Sequence, residues 1–142
     1  MDSVYLDTNF FIYLADKSSP FYSQCFEFLK YSEKSDIAVV TSAETVQEII
    51  HLAKNTKQLS KGIKIAQNCL KIVNELLPID QSTITTYLEK TSTYRTSSSR
   101  DLIHLAVCLE NKLAKMVTFD NDFTKFSEIK AVQPGEVLGN IY

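Results

Sequence analysis
Glycine is scarce in this chain of 142 residues, with 3 in all, and the shortage excludes whole classes of chemistry. Neither a Walker loop nor a dinucleotide-binding fingerprint can be assembled from so few, so no nucleotide cofactor is expected. Proline is as rare, and no segment is repetitive or low in complexity, which excludes fibrous and disordered classes. No apolar run approaches the roughly 20 residues of a spanning helix, and the opening "MDSVYLD" has no basic stretch ahead of an apolar one. No membrane association or secretion is expected. The cysteines, Cys25, Cys69 and Cys108, are odd in number, widely spaced and set in apolar helical patterns, which points to reduced, packed thiols and a cytoplasmic home. Excess positive charge is missing too: at a net −2, any site for a polyanion has to be local.

What is present is an ordinary globular composition, 44% hydrophobic and 23% charged, of a length that suits one domain over residues 1–142. Short β-rich apolar runs alternate with longer stretches of helical period, the pattern of repeated βα units and a parallel sheet covered on both faces. Strands are predicted at 3–6, 37–41, 76–79, 115–119 and 130–132. Helices are predicted at 21–31, 43–54, 58–75, 82–93 and 99–113, as in the spacing of Ile63, Ala66, Leu70 and Val73. The Ser/Thr-rich segment 91–99 reads as a loop whose serines cap the helix that follows.

Four acidic residues sit at the seams of apolar runs. Asp7 follows the strand "SVYL" and precedes "TNFFIYLA", placing it at a strand's carboxyl end and a helix's start, where open α/β sheets bind ligands. Asp120 follows the strand "KMVTF", and Asp101 opens the helix "RDLIHLAVCLENKL" that leads back to the same sheet edge. Each of these three has a plain alternative as a cap, a turn residue or a partner of the helix dipole. Glu48 does not, because it lies inside a helix beside Val46, Ile49, Ile50 and Ala53, and glutamate is rarely buried without a partner. Asp122 either joins this group or caps the short segment "FTKF". Grouped carboxylates repel and raise one another's pKa, so a cluster calls for a hard divalent cation.

Other residues carry less. Lys57, Lys61, Lys64 and Lys71 recur as a solvated helix face, whereas Arg100 adjoins Asp101 and is the better candidate for a phosphate contact. His104, in "LIHLA", reads as a hydrogen-bonded core residue, and with no matching pair for His104 and Cys108 a structural zinc site is not expected. A receiver-like phosphotransfer domain would require an acidic pair at the first strand, and only Asp80 meets its other requirement. A binding module without turnover is a further alternative.

Taken together, "YLDTNFFIYL", "SAETVQE", "RDLIHLA" and "VTFDNDF" resemble, in order, the four acidic motifs of the PIN-domain nucleases, especially the VapC-type toxins of toxin–antitoxin pairs. The resemblance implies a PIN-like α/β fold, a three-layer sandwich with a twisted, mostly parallel five-stranded sheet between helices. It implies that Asp7, Glu48, Asp101 and Asp120 are catalytic and hold one or two Mg²⁺ or Mn²⁺ ions, with Asp122 as a possible further ligand. Thr8, Asn9, Ser42 and Thr118 become supporting residues behind them. The implied reaction is hydrolysis of RNA, by in-line attack of a cation-activated water on the phosphate. The implied partners are an RNA substrate, a small antitoxin protein and a second copy of the chain; the aromatic residues of "NFFIY" and "SPFYSQCFEFL" read most simply as core, with some available for a dimer or antitoxin surface.

Overall fold
The computed structural model describes residues 2–139. Five strands, β1 (Ser3–Leu6), β2 (Ala38–Ser42), β3 (Glu75–Leu77), β4 (Lys115–Val117) and β5 (Lys130–Val132), form one sheet in the order β3-β2-β1-β4-β5. Every pairing is parallel, with Val4 opposite Val39 and Tyr5 opposite Met116 in the central strands. Parallel neighbours demand crossovers, and pairs of helices supply them. These are α1 (Thr8–Leu14) with α2 (Tyr22–Lys34), α3 (Ala43–Asn55) with α4 (Leu59–Ile72), and α5 (Gln81–Thr93) with α6 (Ser99–Glu110). A 3₁₀ turn (Asn121–Lys125) links β4 to β5, and α7 (Pro134–Gly139) follows.

The alternation of side chains along the strands builds two cores. Val4, Leu6, Val39 and Val117 pack with Phe10, Phe28, Ile49 and Cys69 on the face covered by α1 to α4. Tyr5, Val40 and Met116 face the other way, toward Leu102, Leu105 and Cys108 of α6 and Phe123 of the 3₁₀ turn. All three cysteines are free and buried. Among the described residues no helix is long and apolar enough to cross a membrane.

Several predicted ends move. The strand at 76–79 is Glu75–Leu77, because Asn74 closes onto β2: its amide donates to the Val39 carbonyl at 2.8 Å, and its side-chain oxygen accepts from the Val39 amide at 2.9 Å. The helix at 58–75 accordingly stops at Ile72, and the strand at 115–119 stops at Val117. The helix at 21–31 continues to Lys34, and that at 99–113 ends at Glu110. After α2, α3 and α6 the chain passes through left-handed Asp36, Lys57 and Lys112, with φ of 56°, 56° and 55°. At each, the next amide reaches back five residues to a helix carbonyl, as Leu113 does to Cys108 at 2.8 Å.

β1 is the centre of the sheet. The connection leaving β1 runs through α1 on one face, and that leaving its neighbour β4 runs through the 3₁₀ turn on the other. The chain therefore opens a crevice at the carboxyl ends of β1 and β4, the switch point at which parallel sheets take ligands.

Candidate active site
Asp7 occupies the crevice directly. Its amide donates to the Val117 carbonyl at 3.0 Å, which stitches the end of β1 to β4, and its backbone turns there to start α1. The residue is 4% exposed. One carboxylate oxygen accepts from the Thr8 amide and the other from the Thr118 hydroxyl, both at 2.8 Å. Thr118 Oγ1 in turn accepts from the Asp120 amide at 3.0 Å, so one hydroxyl fixes two of the acidic segments. Burial raises the Asp7 pKa above the ordinary carboxylate range, against the pull of His104 and of these bonds.

Glu48 lies on the inner face of α3, a turn beyond Glu44. Its Oε2 accepts from the Thr8 hydroxyl at 2.9 Å, and its Oε1 is 2.7 Å from His104 Nε2. Burial pushes its pKa up, yet the hydrogen bonds and charge of His104 outweigh that and leave it lowered. His104, on α6, is 1% exposed and stands 3.8 Å from Asp7 Oδ1 through the same nitrogen. Burial disfavours the imidazolium, but Glu48 and Asp7 together raise the His104 pKa. His104 Nδ1 is 2.5 Å from the Tyr5 hydroxyl, which is 2.7 Å from Ser42 Oγ.

Asp101, Asp120 and Asp122 form a second, more open group. One carboxylate oxygen from each lies within 4.8 Å of the others. Asp101 sits in the first turn of α6, where its amide is capped by Ser98 Oγ at 3.1 Å. Half-burial and then the charge of Asp120 raise its pKa, with a smaller contribution from Asp7. Asp120 accepts from the Asp122 amide at 2.9 Å, capping the 3₁₀ turn and leaving Asp122 exposed.

The four expected ligands therefore come to one crevice but divide in their contacts. Asp7 and Glu48 are joined through Thr8 and His104, while Asp101 and Asp120 gather with Asp122. Thr8 and Thr118 bond to the acids directly, and Ser42 reaches them only through Tyr5 and His104. Asn9 faces elsewhere, lining a groove with Ile12, Ile49 and Gly62. Arg100 is exposed, and its charge acts on Glu44 and Glu48. His104 is the hydrogen-bonded core residue that its sequence setting predicts, but it, Tyr5 and Glu44 stand closer to the acids than their local sequence shows. His104 was placed in the core with no link to the acids, although it stands three residues after Asp101, on the same side of one helix. Tyr5 was read as strand and Glu44 was not singled out, though Glu44 sits one turn before Glu48.

The same crevice can be compared with known proteins. The profile of the PIN domain matches residues 4–129, which takes in every acid just described. The chain belongs to the PIN domain family. Among curated relatives, a VapC ribonuclease of Mycobacterium bovis and ribonuclease VapC13 of Mycobacterium tuberculosis are each 27% identical over 127 residues, covering 89% of this chain and 97% of theirs. In three dimensions this PIN domain superposes on a chain of the Rickettsia felis VapBC2 complex, bound to a DNA fragment from its promoter, with a TM-score of 0.75 at 14% identity. That match covers 92% of this chain and 98% of the other. It also resembles Mycobacterium tuberculosis VapC20, described as a toxin cleaving the sarcin-ricin loop, with a TM-score of 0.68 at 19% identity over 89% and 98% of the two chains. At these identities the solved structures speak for the fold: the PIN-like sheet, here parallel throughout, between layers of helices.

Proposed function
We propose that this PIN domain is a Mg²⁺- or Mn²⁺-dependent endoribonuclease and the toxin of a toxin–antitoxin pair. The observation that carries the reading is the link from Asp7 to Asp120 through the Thr118 hydroxyl, with Asp101 gathered beside Asp120 and Glu48 tied to Asp7 through Thr8 and His104. An all-oxygen donor set suits a hard cation. The raised pKa values of Asp7 and Asp101 express burial and repulsion that a cation would relieve. Asp7, Glu48, Asp101 and Asp120, with Asp122 at the rim, would hold one or two such ions. A bound cation supplies an activated water and positive charge against the charge developing on the phosphate.

The protein's own groups do the rest. Thr8 and Thr118 fix the Asp7 oxygens, and Thr8 and His104 fix those of Glu48, so the buried acids meet a substrate already oriented. Exposed Arg100, whose charge reaches Glu44 and Glu48, would meet a phosphate of an RNA strand entering on that side of the crevice. The relatives' names as ribonucleases and the VapBC complexes among the structural neighbours support an RNA substrate and a small protein partner. A cytoplasmic homodimer completes the reading. The test is cleavage of single-stranded RNA by protein purified free of any partner, with Mg²⁺ or Mn²⁺ added. Absence of cleavage, or cleavage unchanged in Asp7→Asn and Asp101→Asn, rejects the reading.

A further inference from the structure
The acids account for only part of what is buried beneath the crevice. A continuous chain of side chains runs under them from Ser42 to the Tyr5 hydroxyl at 2.7 Å, on to His104 Nδ1 at 2.5 Å, and from His104 Nε2 to Glu48 Oε1 at 2.7 Å. Ser42, Tyr5 and His104 are 0%, 0% and 1% exposed. The chain joins β2, β1, α6 and α3, the elements that carry or precede Asp7, Glu48 and Asp101.

Both imidazole nitrogens are thereby committed. A buried polar nitrogen without a partner is costly, so the ring cannot turn without losing the phenol on one side and the carboxylate on the other. Glu48, by contrast, has a long side chain whose rotamers are free until something holds them. Thr8 holds one oxygen and His104 the other.

We infer that His104 is a positioning residue, which clamps the Glu48 carboxylate beside Asp7, and that Tyr5 holds the imidazole for that purpose. The inference rests on the metal-nuclease reading, in which these carboxylates receive the cation. Partners behind a ligand commonly set its orientation, and their loss weakens metal binding by about 10- to 100-fold. A ring that merely fills space would do neither. His104 does pack edge-on to Tyr5 and Phe123, at centroid distances of 5.6 and 6.1 Å, and the test has to separate that packing from the clamp.

The experiment is calorimetric titration of Mn²⁺ into the full chain and its variants, with steady-state RNA cleavage and thermal midpoints alongside. His104→Phe keeps a ring between Tyr5 and Phe123 but removes both nitrogens. It is expected to weaken Mn²⁺ binding by about 10- to 100-fold and to lower kcat while leaving the KM for RNA unchanged. His104→Gln, whose amide can still donate to Glu48, should restore much of both. Tyr5→Phe, which leaves the imidazole in place without its buried partner, should fall between native and His104→Phe. A folded His104→Phe with native Mn²⁺ affinity and kcat overturns the inference. If His104→Phe does not fold, Tyr5→Phe decides, and native affinity there overturns it equally. These outcomes presuppose that the native chain takes up Mn²⁺; a native chain that takes up none rejects the metal reading itself, and the clamp with it.

Discussion

The two halves of the crevice are built on opposite plans. Around Asp7 and Glu48, the carboxylate oxygens are already engaged by a backbone amide, two threonine hydroxyls and an imidazole. Around Asp101, Asp120 and Asp122, the hydrogen bonds described serve the local backbone, with Ser98 capping α6 and Asp120 capping the 3₁₀ turn. The first half is rigid before any ligand arrives. The second is more exposed, with carboxylates close enough to repel. On the proposed reading the first half would orient a cation and the second would be its open rim, and each half should fail in its own way.

The sharpest break is Asp7→Asn. It removes a buried charge whose raised pKa shows that ionisation is disfavoured, so the thermal midpoint without metal should hold or rise. RNA cleavage should nevertheless fall by at least about a hundredfold, the scale of losing one preorganised electrostatic group. A parallel loss of fold and activity would show that Asp7 is structural first. Thr118→Val should act next most strongly. It leaves an Asp7 oxygen and the Asp120 amide without their partner, at a cost of about 1 to 3 kcal/mol in denaturant unfolding, with about a tenfold loss of cleavage.

The halves should also differ in pH response, measured as thermal midpoints in chelator. The raised values of Asp7 and Asp101 mean that the folded state binds their protons more tightly than the unfolded chain does, so stability is lost as pH rises through those values. Lowered Glu48 contributes stability that is present above the ordinary glutamate range and lost as pH falls through its lower value. Raised His104 contributes stability that is complete below its ordinary value of 6.5 and lost as pH climbs through the higher one. The midpoint should therefore fall on the alkaline side of 6.5, and His104→Gln should remove that fall. The smallest effect is expected at the rim. Asp122→Asn should change stability by no more than about 0.5 kcal/mol and Mn²⁺ affinity by less than about tenfold.

The alternation of apolar strands with helical stretches made the parallel sheet legible, and with it the arrival of Asp7, Asp101 and Asp120 at one edge. Glu48 was legible because neither a cap nor a turn explains it. The grip of His104 on Glu48 was not. Helical periodicity assigns His104 to the apolar face, and that is where it lies; but its carboxylate partner is 56 positions away on another helix, where no local pattern reaches. Helix ends blurred for a different reason. Glycine is the usual mark of a left-handed helix stop, and this chain makes those stops with Asp36, Lys57 and Lys112. β3 was misplaced because an edge strand with Glu75 and Leu76 exposed lacks the unbroken apolar run of the central strands.

Gly62 gives the architecture one more consequence. On α4 it meets Ala53 of α3 so closely that a Cβ built at position 62 would lie 2.2 Å from the alanine methyl. α3 is also the helix that carries Glu48, and the two helices share room for a single methyl group there. Positions 53 and 62 are therefore sterically coupled: a side chain added at 62 must be met by a smaller one at 53 or by drift of α3. Drift of α3 would be registered first as a displaced carboxylate. A change in the packing of the α3–α4 hairpin would thus reach the site through Glu48.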